Sequence, residues 1–229
     1  MRSFLKTSFH RLAAHDSVEL IEDLSFERCT FRSCVLFASL PATRTTVRGV
    51  RLLSCEIEGG LIEAAILDDV AVDGLKTVGL LQAWGLAYRH VTFRGKIGRI
   101  MLSYNVDLDG TMPARQRAFD VANEEFYRTV DWALDISEAE FQECDISGVP
   151  ARLIRREIAS QAVVTREKAL LGTWRRLDLA RTYWPEAIEG LLRGGHPDCV
   201  LVAPKRARDY KVLLEGIQML RDAGVAEPD

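Results

Sequence analysis

The chain has 229 residues, of which 48% are hydrophobic and 28% are charged, a composition typical of a folded globular protein. Its 30 basic and 33 acidic residues give a formal charge of −3, which excludes both a strongly basic nucleic-acid-binding surface and a strongly acidic mimic of nucleic acid. We therefore expect no nucleic acid among its partners. No apolar run approaches the roughly 18 residues that a membrane-spanning helix requires, so we expect no membrane association either.

The N-terminal stretch carries apolar residues at helical spacing, namely Phe4, Leu5, Phe9 and Leu12. We predict an N-terminal capping helix over residues 1–20, with this stripe against the rest of the protein. The first 15 residues are also rich in Arg and Ser and contain no acidic residue, which is typical of a transit peptide as well.

From residue 21 onward a five-residue period is present. A small or apolar residue is followed two places later by a larger one, and the pair recurs after five residues. The units are Leu24/Phe26, Cys29/Phe31, Cys34/Leu36, then Val50/Leu52, Cys55/Ile57, Gly60/Ile62, Ala65/Leu67, Val70/Val72, Leu75/Thr77, with later echoes at Leu86/Tyr88, Val91/Phe93, Leu134/Ile136, Ala139/Phe141 and Cys144/Ile146.

This period matches neither a plain strand, which alternates every two residues, nor a helix, which repeats every 3.6. A short strand followed by a tight turn would present one inward pair per unit. Four such turns close a coil of about 20 residues, a period typical of solenoids. In that coil Leu52 stacks on Val72, and Cys55 stacks on Leu75.

The units CTFRS, CEIEG, AEFQE and CDISG resemble those of the pentapeptide-repeat family. The resemblance implies a mainly β fold over the N-terminal two-thirds, namely a right-handed quadrilateral parallel β-helix over residues 21–150. The chain lacks the family's usual run of Ala-Asp-Leu or Ala-Asn-Leu units. A less regular right-handed β-helix with coils of about 20–25 residues is the alternative.

Two regions depart from the period and have helical patterns. Residues 113–130 begin with a proline suited to a first helical turn, and they predict a helical insertion at about 111–133. Residues 151–229 predict an α-helical C-terminal region with a short strand at CVLVA. Helices at both ends would cover the exposed edges of a β-helix.

Cysteine and histidine give no site for a metal or a cofactor, and we expect neither. Cys29, Cys34, Cys55 and Cys144 occupy the small inward position, where a free thiol packs as a compact apolar group and fits a reducing cytoplasm. His196, in the Gly-rich loop RGGHPDC beside Asp198, is the histidine best placed for a function. Standard catalytic motifs do not occur in the sequence.

Charged residues suggest a surface for a partner. Glu58, Glu63, Asp68 and Asp73 follow the large inward residue in four successive units, and we interpret them as a solvated acidic ring. Five arginines in the C-terminal third are the candidate partner-binding residues, three of them on one predicted helix face: Arg152, Arg155, Arg156, Arg175 and Arg176.

We expect a non-enzymatic, protein-binding or scaffolding solenoid in the cytoplasm, of the type of an immunity or inhibitor protein, and the pattern is compatible with a homo-oligomer. Some pentapeptide-repeat proteins are DNA mimics that inhibit topoisomerases, but basic residues such as Arg28, Arg51 and Arg94 interrupt any acidic face here. The alternative is a β-helix enzyme acting on a carbohydrate, with Asp68, Asp69 and Asp73 as candidate acids.

Overall fold

The fold is mainly β, with a large parallel sheet and four α-helices, in a computed structural model that describes residues 1–16 and 20–227. The strands are Arg2–Leu5 (β1), Ser8–His10 (β2), Ala13–His15 (β3), Leu20–Glu22 (β4), Leu24–Glu27 (β5), Thr30–Phe37 (β6), Thr46–Glu63 (β7), Ile66–Trp84 (β8), Ala87–Arg89 (β9), Val91–Ser103 (β10), Leu134–Ile146 (β11), Ile154–Arg155 (β12), Gln161–Thr165 (β13) and Asp198–Val202 (β14). The helices are Pro113–Tyr127 (α1), Arg166–Leu170 (α2), Trp184–Gly194 (α3) and Tyr210–Asp222 (α4). None of these helices is long and apolar enough to cross a membrane.

Strands of the large sheet pair in parallel in the order β1-β5-β7-β8-β10-β11-β12. Most paired residues lie 19 to 22 positions apart in the chain, as with Ser8 and Thr30 or Val50 and Val70. The separation is 26 where β4, β5 and β6 pair with β7, and it is larger across α1. The predicted stacking of Leu52 on Val72 and of Cys55 on Leu75 is confirmed by the register of β7 on β8.

Left-handed backbone recurs mainly at intervals of five residues from β1 into β10. Positive φ angles occur at Lys6, Arg11, Asp16, Asp23, Arg28, Ser33, then at Gly49, Ser54, Gly59, Ala64, Asp69, Gly74 and Gly79, and again at Gly85, His90 and Gly95. The interval is longer between Ser33 and Gly49, and β11 has no positive φ angle. At each of these positions the extended backbone is interrupted, and the spacing of the interruptions matches the five-residue period of the sequence.

The inward residues of the pentads form one apolar core. Phe141 and Ile146 are buried, and Phe31, Ile57 and Leu67 pack against the same cluster with part of their surface exposed. Of the residues predicted to point outward, Arg32 and Gln142 are exposed and Glu58 is half-buried. Asp68 is the exception, because it is buried under two arginines from neighbouring strands.

The prediction of an N-terminal capping helix is wrong for the described residues, because residues 2–15 contain β1, β2 and β3. Residues 17–19, which the prediction also covers, lie outside the described part. Phe4 and Phe9 are five residues apart and continue the pentad pattern. Phe4 stacks on Phe26 with ring centroids 5.2 Å apart, and Phe9 stacks on Phe31 at 5.3 Å. Leu5 and Leu12, which would complete a helical stripe, are exposed.

The C-terminal third is only partly helical, which corrects the prediction of an α-helical region. Residues 151–164, expected to be helical, form a 3-10 turn, β12 and most of β13. β13 pairs antiparallel with β14, which contains the predicted CVLVA strand, and α3 and α4 pack there around a second core. The first four residues of β13 are all buried, and so short an apolar stretch has no period that separates a strand from a helix.

The predicted helical insertion is confirmed as α1, which packs against the sheet through buried polar contacts. Arg115 donates from Nη2 to Glu63 Oε1 at 2.6 Å and to the carbonyl oxygen of Ala38 at 2.8 Å. The hydroxyl of Tyr127, at the end of α1, accepts a hydrogen bond from the backbone N–H of Tyr88 at 3.3 Å. These bonds attach α1 to the segment after β6, to β7 and to β9.

Replacement of Phe141 by Ala should lower the free energy of unfolding by about 3–5 kcal/mol, because the side chain is 1% exposed. Its neighbour Gln142 is exposed, and Gln142→Ala should change the free energy by no more than about 0.5 kcal/mol. Urea unfolding of both variants measures the difference. Equal losses at the two positions would contradict the inward and outward assignment of β11.

Candidate functional site

Three of the predicted arginines do not lie on a helix face. Arg152 is in the 3-10 turn Ala151–Leu153, and Arg155 ends β12. The Arg155 guanidinium lies 4.2 Å from the ring centroid of Trp132, and Arg156 Nη2 lies 3.8 Å from Glu227 Oε2. Arg155 and Arg156 therefore have local partners, and the expected continuous basic face is absent from this turn and strand.

The other two arginines lie beside an exposed apolar pair. Arg175 and Arg176 are exposed in the 3-10 turn Thr173–Arg176, and Arg175 stacks on the ring of Trp174 at 4.3 Å. Neither forms a salt bridge within the part of the chain that the structure describes. Leu170 and Leu171, 62% and 75% exposed, precede them at the end of α2. We call these four residues, Leu170, Leu171, Arg175 and Arg176, the Leu–Arg surface.

Of the Leu–Arg surface, only the two arginines were predicted from the sequence. Leu170 and Leu171 lie in the region that was expected to be helical, but α2 ends at Leu170 and Gly172 adopts a left-handed conformation with φ of 72°. The sequence signal was Gly172, since a glycine after a short apolar stretch is a typical helix end. The helix end leaves both leucines in solvent.

Several charged side chains on the sheet are paired across neighbouring strands. Arg32 bonds Glu58 at 2.5 Å, Lys76 bonds Glu56 at 3.0 Å, and Arg99 bonds Glu143 at 2.5 Å. Opposite charges at facing positions stabilise adjacent strands. The predicted acidic ring is therefore largely neutralised, since Glu58, Glu63 and Asp68 each have an arginine partner.

Asp68 is held as a carboxylate by two arginines. Arg89 Nε donates to Oδ1 at 2.7 Å and a second Arg89 nitrogen bonds Oδ2, while Arg48 Nε donates to Oδ2 at 2.8 Å. These hydrogen bonds, first those of Arg89, lower the pKa of Asp68 although its burial acts in the opposite direction. A carboxylate held in this way is a poor proton donor. Asp69 and Asp73 are exposed.

His196 lies where the C-terminal third meets the sheet. Its ring packs edge-on against Tyr104, with centroids 4.0 Å apart, and Nε2 is buried with no hydrogen-bond partner among the described residues. Burial lowers the pKa of His196 and favours the neutral ring. Asp198, the expected partner, instead accepts a hydrogen bond from the backbone N–H of Ala151 at 2.8 Å.

The cysteines in the small inward positions are unlinked, and three of them are buried. Cys29, Cys55 and Cys144 are at most 4% exposed, whereas Cys34 is half-buried. The Cys29 thiol contacts the carbonyl oxygen of Phe4 at 3.5 Å, and the Cys55 thiol that of Phe26 at 3.4 Å. Within the described residues no group of three His, Cys, Asp or Glu side chains could hold a metal ion.

An apolar cavity of about 430 Å³ lies along the N-terminal half of the large sheet. It is lined by residues of five successive rows of strands, those of β3, β6, β7, β8 and finally β9 with β10. Gly60 also lies at the cavity and is exposed, and a Cβ there would lie 2.3 Å from the carbonyl oxygen of Cys34, so the close approach of that backbone requires a glycine. Beyond this cavity the core is closed by side chains such as Ile97, Leu134 and Ile136, which are fully buried.

The cavity is a site that the sequence reading missed. Its signal was the reduced side-chain volume of the Val70/Val72 pair in the inward positions. Such a deficit shows only when inward residues are compared from row to row.

Comparisons with protein-family models, curated proteins and solved structures give no match to this chain. The resemblance to the pentapeptide-repeat family therefore stays a prediction from the sequence pattern. A function is therefore proposed from the contacts, charges and burial of the described residues.

Replacement of Asp68 by Asn should lower the free energy of unfolding at pH 7 by about 1.5–3 kcal/mol, because charge-assisted bonds to two arginines are lost. The folded-state pKa of Asp68 is below its unfolded value of about 3.9, so the stabilisation is present above that pH and is lost as the pH falls through the folded-state pKa. Urea unfolding at pH 7 and below about pH 3 should show the difference from wild type shrinking in acid.

The exposed neighbour Asp69 is the control for this measurement, and Asp69→Asn should stay within about 0.5 kcal/mol of wild type at pH 7. A loss at Asp68 that is unchanged in acid would contradict an ionised, arginine-bound carboxylate.

Proposed function

We propose that the large parallel sheet is a right-handed quadrilateral β-helix of the pentapeptide-repeat type. Two observations support this fold. Most paired residues lie 19 to 22 positions apart, which is close to four pentads per turn, and left-handed backbone recurs mainly at intervals of five residues from β1 into β10. The less regular β-helix stays the alternative, because β4, β5 and β6 pair with β7 at a separation of 26.

On this fold we propose a non-enzymatic, cytoplasmic protein that binds another protein through the Leu–Arg surface. The observation that carries the proposal is the pair Leu170 and Leu171, 62% and 75% exposed, beside the exposed Arg175 and Arg176. Exposed apolar groups flanked by charge are typical of protein interfaces, and arginine is enriched there. The partner would present a small apolar patch with acidic residues at its rim.

The charge pairing on the sheet supports a local binding surface in preference to a nucleic-acid mimic. Arg32, Lys76 and Arg99 each neutralise an acidic residue on an adjacent strand, which reduces the negative charge that could repeat along one face. A mimic needs such a repeat. The unpaired arginines of the Leu–Arg surface are the stronger candidates for an electrostatic contact.

We favour binding over an enzyme that acts on a carbohydrate. Glycoside hydrolysis uses two carboxyl groups, one of which must donate a proton. Asp68, the buried member of the predicted set, has a lowered pKa and both of its oxygens are bonded to arginine. His196 lacks the hydrogen bond to Asp198 that would orient it as a base.

Replacement of Leu171 by Asp together with Arg176 by Glu should abolish partner binding without unfolding the protein, because both side chains are exposed. The measurement is affinity capture from the native cell, with cross-linking and quantitative mass spectrometry of the proteins retained. The partner is the protein that the wild-type chain enriches and whose captured amount falls by more than about tenfold with this variant. A tenfold loss of affinity corresponds to roughly 1.4 kcal/mol of binding free energy.

The matched control is Val121→Asp with Arg117→Glu on α1, which makes the same chemical changes at two exposed positions four residues apart. It should retain the partner. Capture of the same proteins by both double variants, or turnover of a polysaccharide by the wild-type chain in a broad substrate screen, would overturn the proposed function.

A further inference from the structure

The interior cavity differs from a packing defect in its length. Its lining runs from Leu12–Ala14 in β3 to Ile100 and Leu102 in β10, across five rows of strands. Adjacent strands lie about 4.8 Å apart, so five rows span about 19 Å. With a volume of about 430 Å³, the mean cross-section is roughly 23 Å². This cross-sectional area is close to that of a single extended hydrocarbon chain.

The lining is apolar and uncharged. Of the residues that line the cavity, only Cys34 and Tyr88 carry a polar side-chain group, and the Cys34 thiol contacts the carbonyl oxygen of Arg32 at 3.7 Å. A charged head group inside such a lining would lose its hydration without an ion to pair with. The cavity therefore selects a neutral ligand.

Tyr88 is the residue of the cavity lining that carries a hydroxyl group. Its side chain is 2% exposed, and its hydroxyl is buried with no hydrogen-bond partner among the described residues. Buried hydroxyl groups are normally hydrogen-bonded, so a buried one without a protein partner indicates a ligand or a water molecule. Tyr88 lies in β9, in the row farthest from β3, where Leu12 and Ala13 are exposed.

We propose that the cavity binds a neutral single-chain lipid, whose chain lies along the stacked rows and whose oxygen accepts a hydrogen bond from the Tyr88 hydroxyl. The chain enters at the β3 row and replaces water against the inward residues of β6, β7 and β8. The hydrogen bond selects an alcohol, ester or carbonyl oxygen over a plain alkane. This function is separate from the protein-binding role of the Leu–Arg surface.

Tyr88→Phe is the decisive variant, because it removes a hydroxyl that has no protein partner and should leave the fold intact. Equilibrium binding of radiolabelled dodecanol and dodecane to the full chain measures the effect. Wild type should bind one dodecanol per chain, about tenfold more tightly than dodecane, and Tyr88→Phe should bind the two equally, since one hydrogen bond is worth about a factor of ten.

Ala83→Phe fills the cavity from β8 and should abolish binding of both probes, whereas Ala71→Phe, on the exposed face of the same strand, should leave binding unchanged. Absence of saturable dodecanol binding to wild type would overturn the proposal. So would dodecanol affinity that Tyr88→Phe does not weaken, or that Ala83→Phe and Ala71→Phe affect alike. None of these outcomes bears on partner capture by the Leu–Arg surface.

Discussion

Most of the large sheet, from β1 into β10, depends on one backbone constraint, a left-handed residue that recurs mainly at intervals of five. Such a conformation costs about 1–3 kcal/mol for a residue other than glycine, yet Ser54, Ala64 and Asp69 adopt it in succession. The cost is tolerated because each bend directs the next inward pair to the same core. Parallel pairing between strands then satisfies the hydrogen bonds of the backbone. The locally strained bends thereby set the register between distant strands, as with Val50 beside Val70.

The same constraint explains which parts of the fold could be predicted. A period of five is incompatible with a helix or a plain strand, so the units from Val50 to Thr77 determined both the strands and their stacking. The N-terminal strands were missed because Phe4 and Phe9 fit a helical stripe nearly as well as a pentad. In the C-terminal third β13 is short and buried, and such an apolar stretch has no distinctive period.

Candidate sites were less predictable than strands, because a site depends on contacts between distant residues. The exposed arginines were identified from composition, but the partners of Arg155 and Arg156 are Trp132 and Glu227, far away in the chain. Asp68 was read as a surface acid because it follows an inward residue. Its burial results from arginines about 20 positions before and after it, which a reading of single pentads does not compare.

Core packing changes along the stack of rows, and this change links the fold to a function. Toward β11 the inward positions hold Phe141 and Ile136, which are almost fully buried, and the interior is closed. Toward β7 and β8 they include medium-sized residues such as Val70 and Val72, which line the cavity. Parallel pairing continues through both halves with local register shifts in β7 and β10, so pairing between strands maintains the sheet while side-chain volume is free to vary. A repeat of this type can therefore hold a ligand within its own core without any loop or added domain, since a smaller inward residue creates space and leaves the ladder of hydrogen bonds unchanged.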